Sequence, residues 1–178
     1  MKQVQLLILI LLTACISVAQ QPSTDSARLQ SDLKLTAQKM GQFFIEKDFI
    51  QYSEFVYPKL IELNGGQEKY IDIIKNSMNK IEEQGFTFKN ISFGDPSKIV
   101  TTSTEFQTVI PQILELKNKS GLLATTSYLI CISNKEGKTW HFIDTGGKTL
   151  EQLQKVIPTL SNELLLPPNK APVFTKTK

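Results

Sequence analysis

The chain has 178 residues and a mass of 20.0 kDa, room for one domain, or for one domain behind a targeting segment. Hydrophobic residues at 40% and charged residues at 21% are ordinary globular usage, which excludes a disordered chain, a collagen and a long coiled coil. The formal net charge is only +3 and Arg28 is the sole arginine, so the clustered charge and guanidinium forks of nucleic-acid recognition are missing and no nucleic-acid partner is expected.

The N-terminus carries Lys2, an apolar run from Leu6 to Leu12, and then small and polar residues, the layout of a secretory signal peptide. The run is short for a membrane span of about 20 residues, so removal is expected rather than anchoring by a helix. Ser17-Val18-Ala19 places small residues three and one positions before Gln20, and residues 1–19 are the expected leader. The alternative is a lipoprotein signal over 1–14. Leu12-Thr13-Ala14-Cys15 resembles a bacterial lipobox, and lipidation of Cys15 would be the only link to a membrane. The localisation expected is periplasmic or secreted, with a membrane-anchored lipoprotein as the alternative. Beyond Cys15 the one cysteine is Cys131, inside Tyr128-Leu129-Ile130-Cys131-Ile132, where it reads as a small buried hydrophobe. The mature chain therefore has no internal disulfide.

Residues 20–28 are expected as a flexible approach to a domain over 29–157. Leu29, Leu33, Ala37, Met40, Phe43 and Phe44 recur by fours and threes, an amphipathic helix between about Ser23 and Lys47. Asp48 caps a second helical stretch with Phe49, Tyr52, Phe55 and Val56 on one face, and Pro58 interrupts it before Leu60, Ile61 and Leu63. After Asn64-Gly65-Gly66 a third helix spans about Gln67 to Gln84, with Tyr70, Ile73, Ile74, Ser77, Met78 and Ile81 inward and Gly85 as its stop.

From Phe86 the period changes to two. Phe86 to Phe93 is a strand whose alternation slips near Asn90, the mark of a bulge. Lys98 to Leu116 contains Pro111, which predicts two strands or one strand bent at an edge. Asn118-Lys119-Ser120-Gly121 turns into Leu122 to Ser133, and Asn134-Lys135-Glu136-Gly137 turns into Lys138 to Asp144. A short helix over Leu150 to Val156 precedes a Pro-rich tail, residues 158–178, expected to be loosely ordered from Pro167 onward. The layout is α+β: three helices, the second broken, packed on a curved antiparallel sheet of four to six strands.

This order of elements, together with Phe49 to Gly66 and the stretch Ser133 to Asp144, resembles the nuclear-transport-factor-2-like (SnoaL-like) superfamily, and within it a branch of bacterial envelope proteins. The resemblance implies a cone-shaped fold. It also implies a site at the open end of the cone, and a homodimer through the sheet. Isomerases, dehydratases, cyclases and binding modules all share that fold, so it does not choose a function.

The chemical inventory is thin. His141 is the only histidine, and strand alternation puts it on the face opposite Trp140, Phe142 and Asp144, which breaks any His141/Asp144 dyad. Asp144 beside aromatic surface is the one candidate general base, set against the simpler reading of Asp144-Thr145-Gly146-Gly147 as a strand-ending turn. Tyr52, Tyr57, Trp140 and Phe142 are the candidate ligand-binding residues. One histidine and one mature cysteine suggest no metal, and the glycine pairs lack the spacing of a phosphate cradle, so no cofactor is expected. The leading expectation is an exported, non-enzymatic domain that binds a small apolar ligand or an envelope protein. The rival is an isomerase, dehydratase or cyclase using Asp144.

Overall fold

The computed structural model describes residues 24–176. Helix α1 (Thr24–Ile45) is followed by two short helices, α2 (Phe49–Ser53) and α3 (Pro58–Leu63), and by α4 (Gln67–Glu83). Strands β1 (Thr87–Phe93), β2 (Val100–Thr101), β3 (Glu105–Asn118), β4 (Gly121–Asn134) and β5 (Trp140–Asp144) come next, then α5 (Leu150–Gln154) and β6 (Val173–Lys176). All six strands belong to one antiparallel sheet in the order β1-β3-β4-β5, with β2 on β3 and β6 on β4. The α+β layout is thus as the sequence predicts, with a sixth strand supplied by the tail.

The centre is the hairpin of β3 and β4, in register from Asn118↔Gly121 to Glu105↔Asn134 without interruption. Asn118 closes its turn, its Oδ1 accepting from the amides of Ser120 and Gly121 at 2.9 Å each. Pro111 sits in the interior of β3, not at a break in it. Its carbonyl accepts from Gly94 N–H, so its missing donor points the same way, toward the side where β1 has ended and β2 has not begun. Gly94 is needed there because a Cβ would lie 2.6 Å from Pro111 Cγ. The bulge of β1 falls between Phe88 and Asn90, as the slipped alternation predicts.

Both faces of the hairpin's open end are covered. On one face Ile110, Leu129, Cys131, Trp140 and Phe142 pack with Leu29, Leu33, Ala37 and Met40 of α1. Gly137 anchors that helix: its φ is +67° and a Cβ would collide with Leu29. On the other face Val109, Tyr128, Ile130, Ile132 and Ile143 pack with Leu153, Ile157, Leu160 and Leu164. Cover on two sides explains why Tyr128 to Ser133 is buried without alternation. A third cluster, Phe49, Ile71 and Met78 with Phe44, Ile74 and Phe88, seats α4 against α2 and the start of β1.

Four details of the sequence reading change. Helix α1 begins at Thr24, so residues 24–28 are helical, as the stripe spacing from Ser23 predicts, and are not a flexible approach to the domain. Ile73 is 47% exposed, since the buried face of α4 is centred on Ile71, Ile74 and Met78. The domain does not end at residue 157, because Leu160 and Leu164 are core residues. The tail past Pro167 is exposed but not loose throughout, since Val173–Lys176 pairs with Gly121–Ala124.

Gln107, fully buried, fixes this C-terminal segment. Its Nε2 donates to Thr159 O and Glu105 Oε2 at 2.9 Å each, and its Oε1 accepts from Ser161 N–H at 2.8 Å. Gln107→Ala removes the partner of the Thr159 carbonyl and the Ser161 amide and leaves a cavity at a fully buried position, and should cost about 1–3 kcal/mol in urea unfolding. A chain ending at Ile157 should lose its cooperative melt altogether, whereas removal of residues 173–178 alone should leave one. Equal melts for the three chains would contradict the role given to the Leu160–Leu164 segment.

Candidate functional site

The strand β5 positions every candidate residue after position 139. Its register with β4, Ser133↔Trp140, Cys131↔Phe142 and Leu129↔Asp144, puts Trp140, Phe142 and Asp144 on the α1 face, with His141 and Ile143 opposite. A short strap, residues 55–57, runs beside β5. Phe142 N–H donates to Phe55 O at 2.8 Å, and Tyr57 N–H donates to Phe142 O at 3.0 Å. The strap exists because Pro58 at the start of α3 forbids helix at Tyr57, which has ψ near 123°.

The predicted residues separate into three environments. Phe142 is sealed between β4 and the strap at 2% exposure, so it is core and not a ligand contact. Tyr57 packs on the outer face, against the cluster of Ile143 and Leu153, and lies apart from Tyr52. Trp140 is as buried as Phe142, at 2% exposure in the same α1-face core, and borders a groove of about 370 Å³ between α1 and the start of β5. Leu35, Thr36 and Lys39 form its helix wall, Glu54 and Phe55 its second wall, and Lys138, Thr139 and His141 its end. Lys39 Nζ stands 5.8 Å above the Phe43 ring and 6.0 Å from the Phe55 ring. Lys138 pairs with Glu136 at 3.1 Å, both side chains mostly exposed. His141 lines a second groove as well, with Tyr57, Glu105 and Ile132. Burial holds its pKa below the usual imidazole value, so it is neutral at pH 7.

Asp144 ends β5 as a turn residue: it is exposed, and its Oδ1 accepts from Gly146 N–H at 2.9 Å. It is nonetheless within electrostatic reach of two phenols. Burial pushes Tyr70 up to about 12, with the Asp144 charge adding to the shift. Tyr52 is raised further by burial, and then by Tyr70 and Asp144. Both phenols are thus donors at any physiological pH. Tyr70 escaped the sequence reading as a site residue because its helical spacing marks it only as an inward position of α4. Its partnership with Asp144, 74 residues away, is tertiary.

Cys131 is free and buried, its thiol pushed well up by desolvation, which leaves it without nucleophilic character. Among the described residues no group of three or more His, Cys, Asp or Glu side chains comes together to hold a metal ion. Among them, too, no helix is long and apolar enough to cross a membrane. Cys15 and the leader lie outside the described residues. No protein-family model, no curated protein and no solved structure matches the chain.

The Asp144–tyrosine coupling is measurable. Asp144→Asn keeps an acceptor for Gly146 N–H and removes the charge, so the Tyr70 phenol should ionise at lower pH than in the parent. It should stay above the free tyrosine value, because burial is the larger cause. Phenolate absorbance against pH reads this directly, and an unchanged titration would separate Asp144 from the tyrosines.

Proposed function

We propose that the protein is an exported binding domain of the nuclear-transport-factor-2-like kind, which holds a small apolar ligand in the groove between α1 and β5. The element order supports that fold reading, with helices ahead of a long antiparallel hairpin. The observation that carries the binding reading is the groove itself. Its apolar lining is Phe55 and Leu35, the latter 62% exposed, with the buried Trp140 at its border, on a wall of helix and strand. Exposed apolar surface beside a concave aromatic site is the usual mark of recognition rather than of packing.

An enzyme of the isomerase, dehydratase or cyclase type has one supporting observation, the two protonated phenols near Asp144. Against it, Asp144 is exposed and its carboxylate is engaged in capping its own turn at Gly146 N–H. A turnover by the purified chain that disappears in Asp144→Asn would favour the enzyme. A homodimer through the sheet has only part of the outer face to use, the stretch near the hairpin turn with Ile113, Leu122 and Ala124, because the C-terminal segment covers the rest.

Trp140 is the only tryptophan, so its emission reports on the groove without a label. Saturable change of that emission on titration with small apolar compounds is the expected result, abolished by Leu35→Asp. No response from any of them would remove the binding reading. Export predicts a mature chain beginning at Gln20, read by intact mass after expression with the leader. A chain beginning at a lipid-modified Cys15 would instead establish the anchored form.

A further inference from the structure

The charges around the groove narrow the class of ligand. Lys39 has no carboxylate within ion-pair distance among the described pairs; its ammonium rests over the Phe43 and Phe55 rings. A cation held over aromatic faces is partly desolvated and keeps its capacity for an anion. Lys138 closes the groove at the β5 end, and its pairing with Glu136 is an exposed contact of the exchangeable kind. Two carboxylates stand near these two cations, Glu136 on Lys138 and Glu54 in the lining, while His141 adds no charge at neutral pH; Lys39 is the cation without an ion pair among the described pairs. We infer that the ligand of this groove is an acidic amphiphile: a free, monomeric carboxylate whose apolar chain lies along Leu35 and Phe55, beside the buried Trp140, and whose head group meets Lys39. The inference rests on the groove reading above and adds the head group to it. Glu54 supplies selectivity, since it would repel a second negative charge and so disfavours diacids.

The test titrates Trp140 emission of the chain from Gln20 to Lys178 with decanoate, decanol and decyltrimethylammonium at low salt, each below its micelle concentration. Decanoate is expected to bind about fivefold more tightly than decanol. That advantage should vanish in Lys39→Gln and in high salt, and persist in Lys75→Gln, a change on α4 outside the groove lining. Equal affinity for decanol, preference for the ammonium, or an undiminished decanoate advantage in Lys39→Gln would each overturn the carboxylate assignment while leaving the groove intact. A response to phosphatidylglycerol vesicles without one to decanoate would overturn it in favour of a membrane surface. Silence toward every probe would remove the groove reading along with it.

Discussion

The constraint on which the rest of the molecule depends is that the β3–β4 hairpin is apolar on both faces at its open end. A sheet with two such faces needs two covers. Helix α1 provides one, through Leu29, Leu33, Ala37 and Met40; the chain beyond Asp144 provides the other, through Leu153, Ile157, Leu160 and Leu164. The two covers come from opposite ends of the described chain, so the hairpin joins early and late sequence in one cooperative unit. Gln107 marks how firmly the second cover is held. A buried side-chain amide is costly unless each of its groups is paired, and this one is paired to the segment it retains.

The same arrangement sets where concave surface is left open. With the α1 face filled beneath the helix and the outer face filled beneath the tail, concave space is left at the margins, where the covers meet the sheet edge. The strap at residues 55–57 follows β5 only as far as Phe142 before the chain belongs to helix α2. Where strap and strand diverge, Trp140 stays packed in the α1-face core and borders the groove with its edge of the strand. Pro58 therefore has an effect on the site without touching it, because it ends the helical path at Tyr57 and forces the extended stretch that seals Phe142.

Much of this fold is legible in the sequence because its signals are local. The α1 stripe, the Pro58 break, the Asn90 bulge and both hairpin turns are readable from spacing and turn chemistry, and each is present. Strand alternation alone separated His141 from Asp144, and the register agrees. What was not legible is long-range. Leu160 and Leu164 sit among prolines and polar residues with no regular period, so nothing local distinguishes a core segment from a tail. Pro111 was read as a break because sequence shows the missing donor but not the direction in which it points. Tyr52 and Tyr57 are five residues apart on one apparent helix, yet the strap turns them to opposite sides of β5.

The two polar arrangements beside β5 also differ in what they can do. Tyr52, Tyr70 and Asp144 form a set in which burial and a neighbouring charge act in one direction, keeping both phenols protonated. General acid–base catalysis near pH 7 works best with a group whose pKa lies close to the medium, and phenols pushed above the ordinary tyrosine value are moved away from that range. They are suited to donating fixed hydrogen bonds. At the other end of β5, the Lys39 Nζ lies over the Phe43 and Phe55 rings beside the groove, and under the proposal above it would orient a ligand without transforming it. Both ends of the strand thus hold charge or donors in place more readily than they move protons, and that common property is what supports the binding domain proposed above over the enzyme.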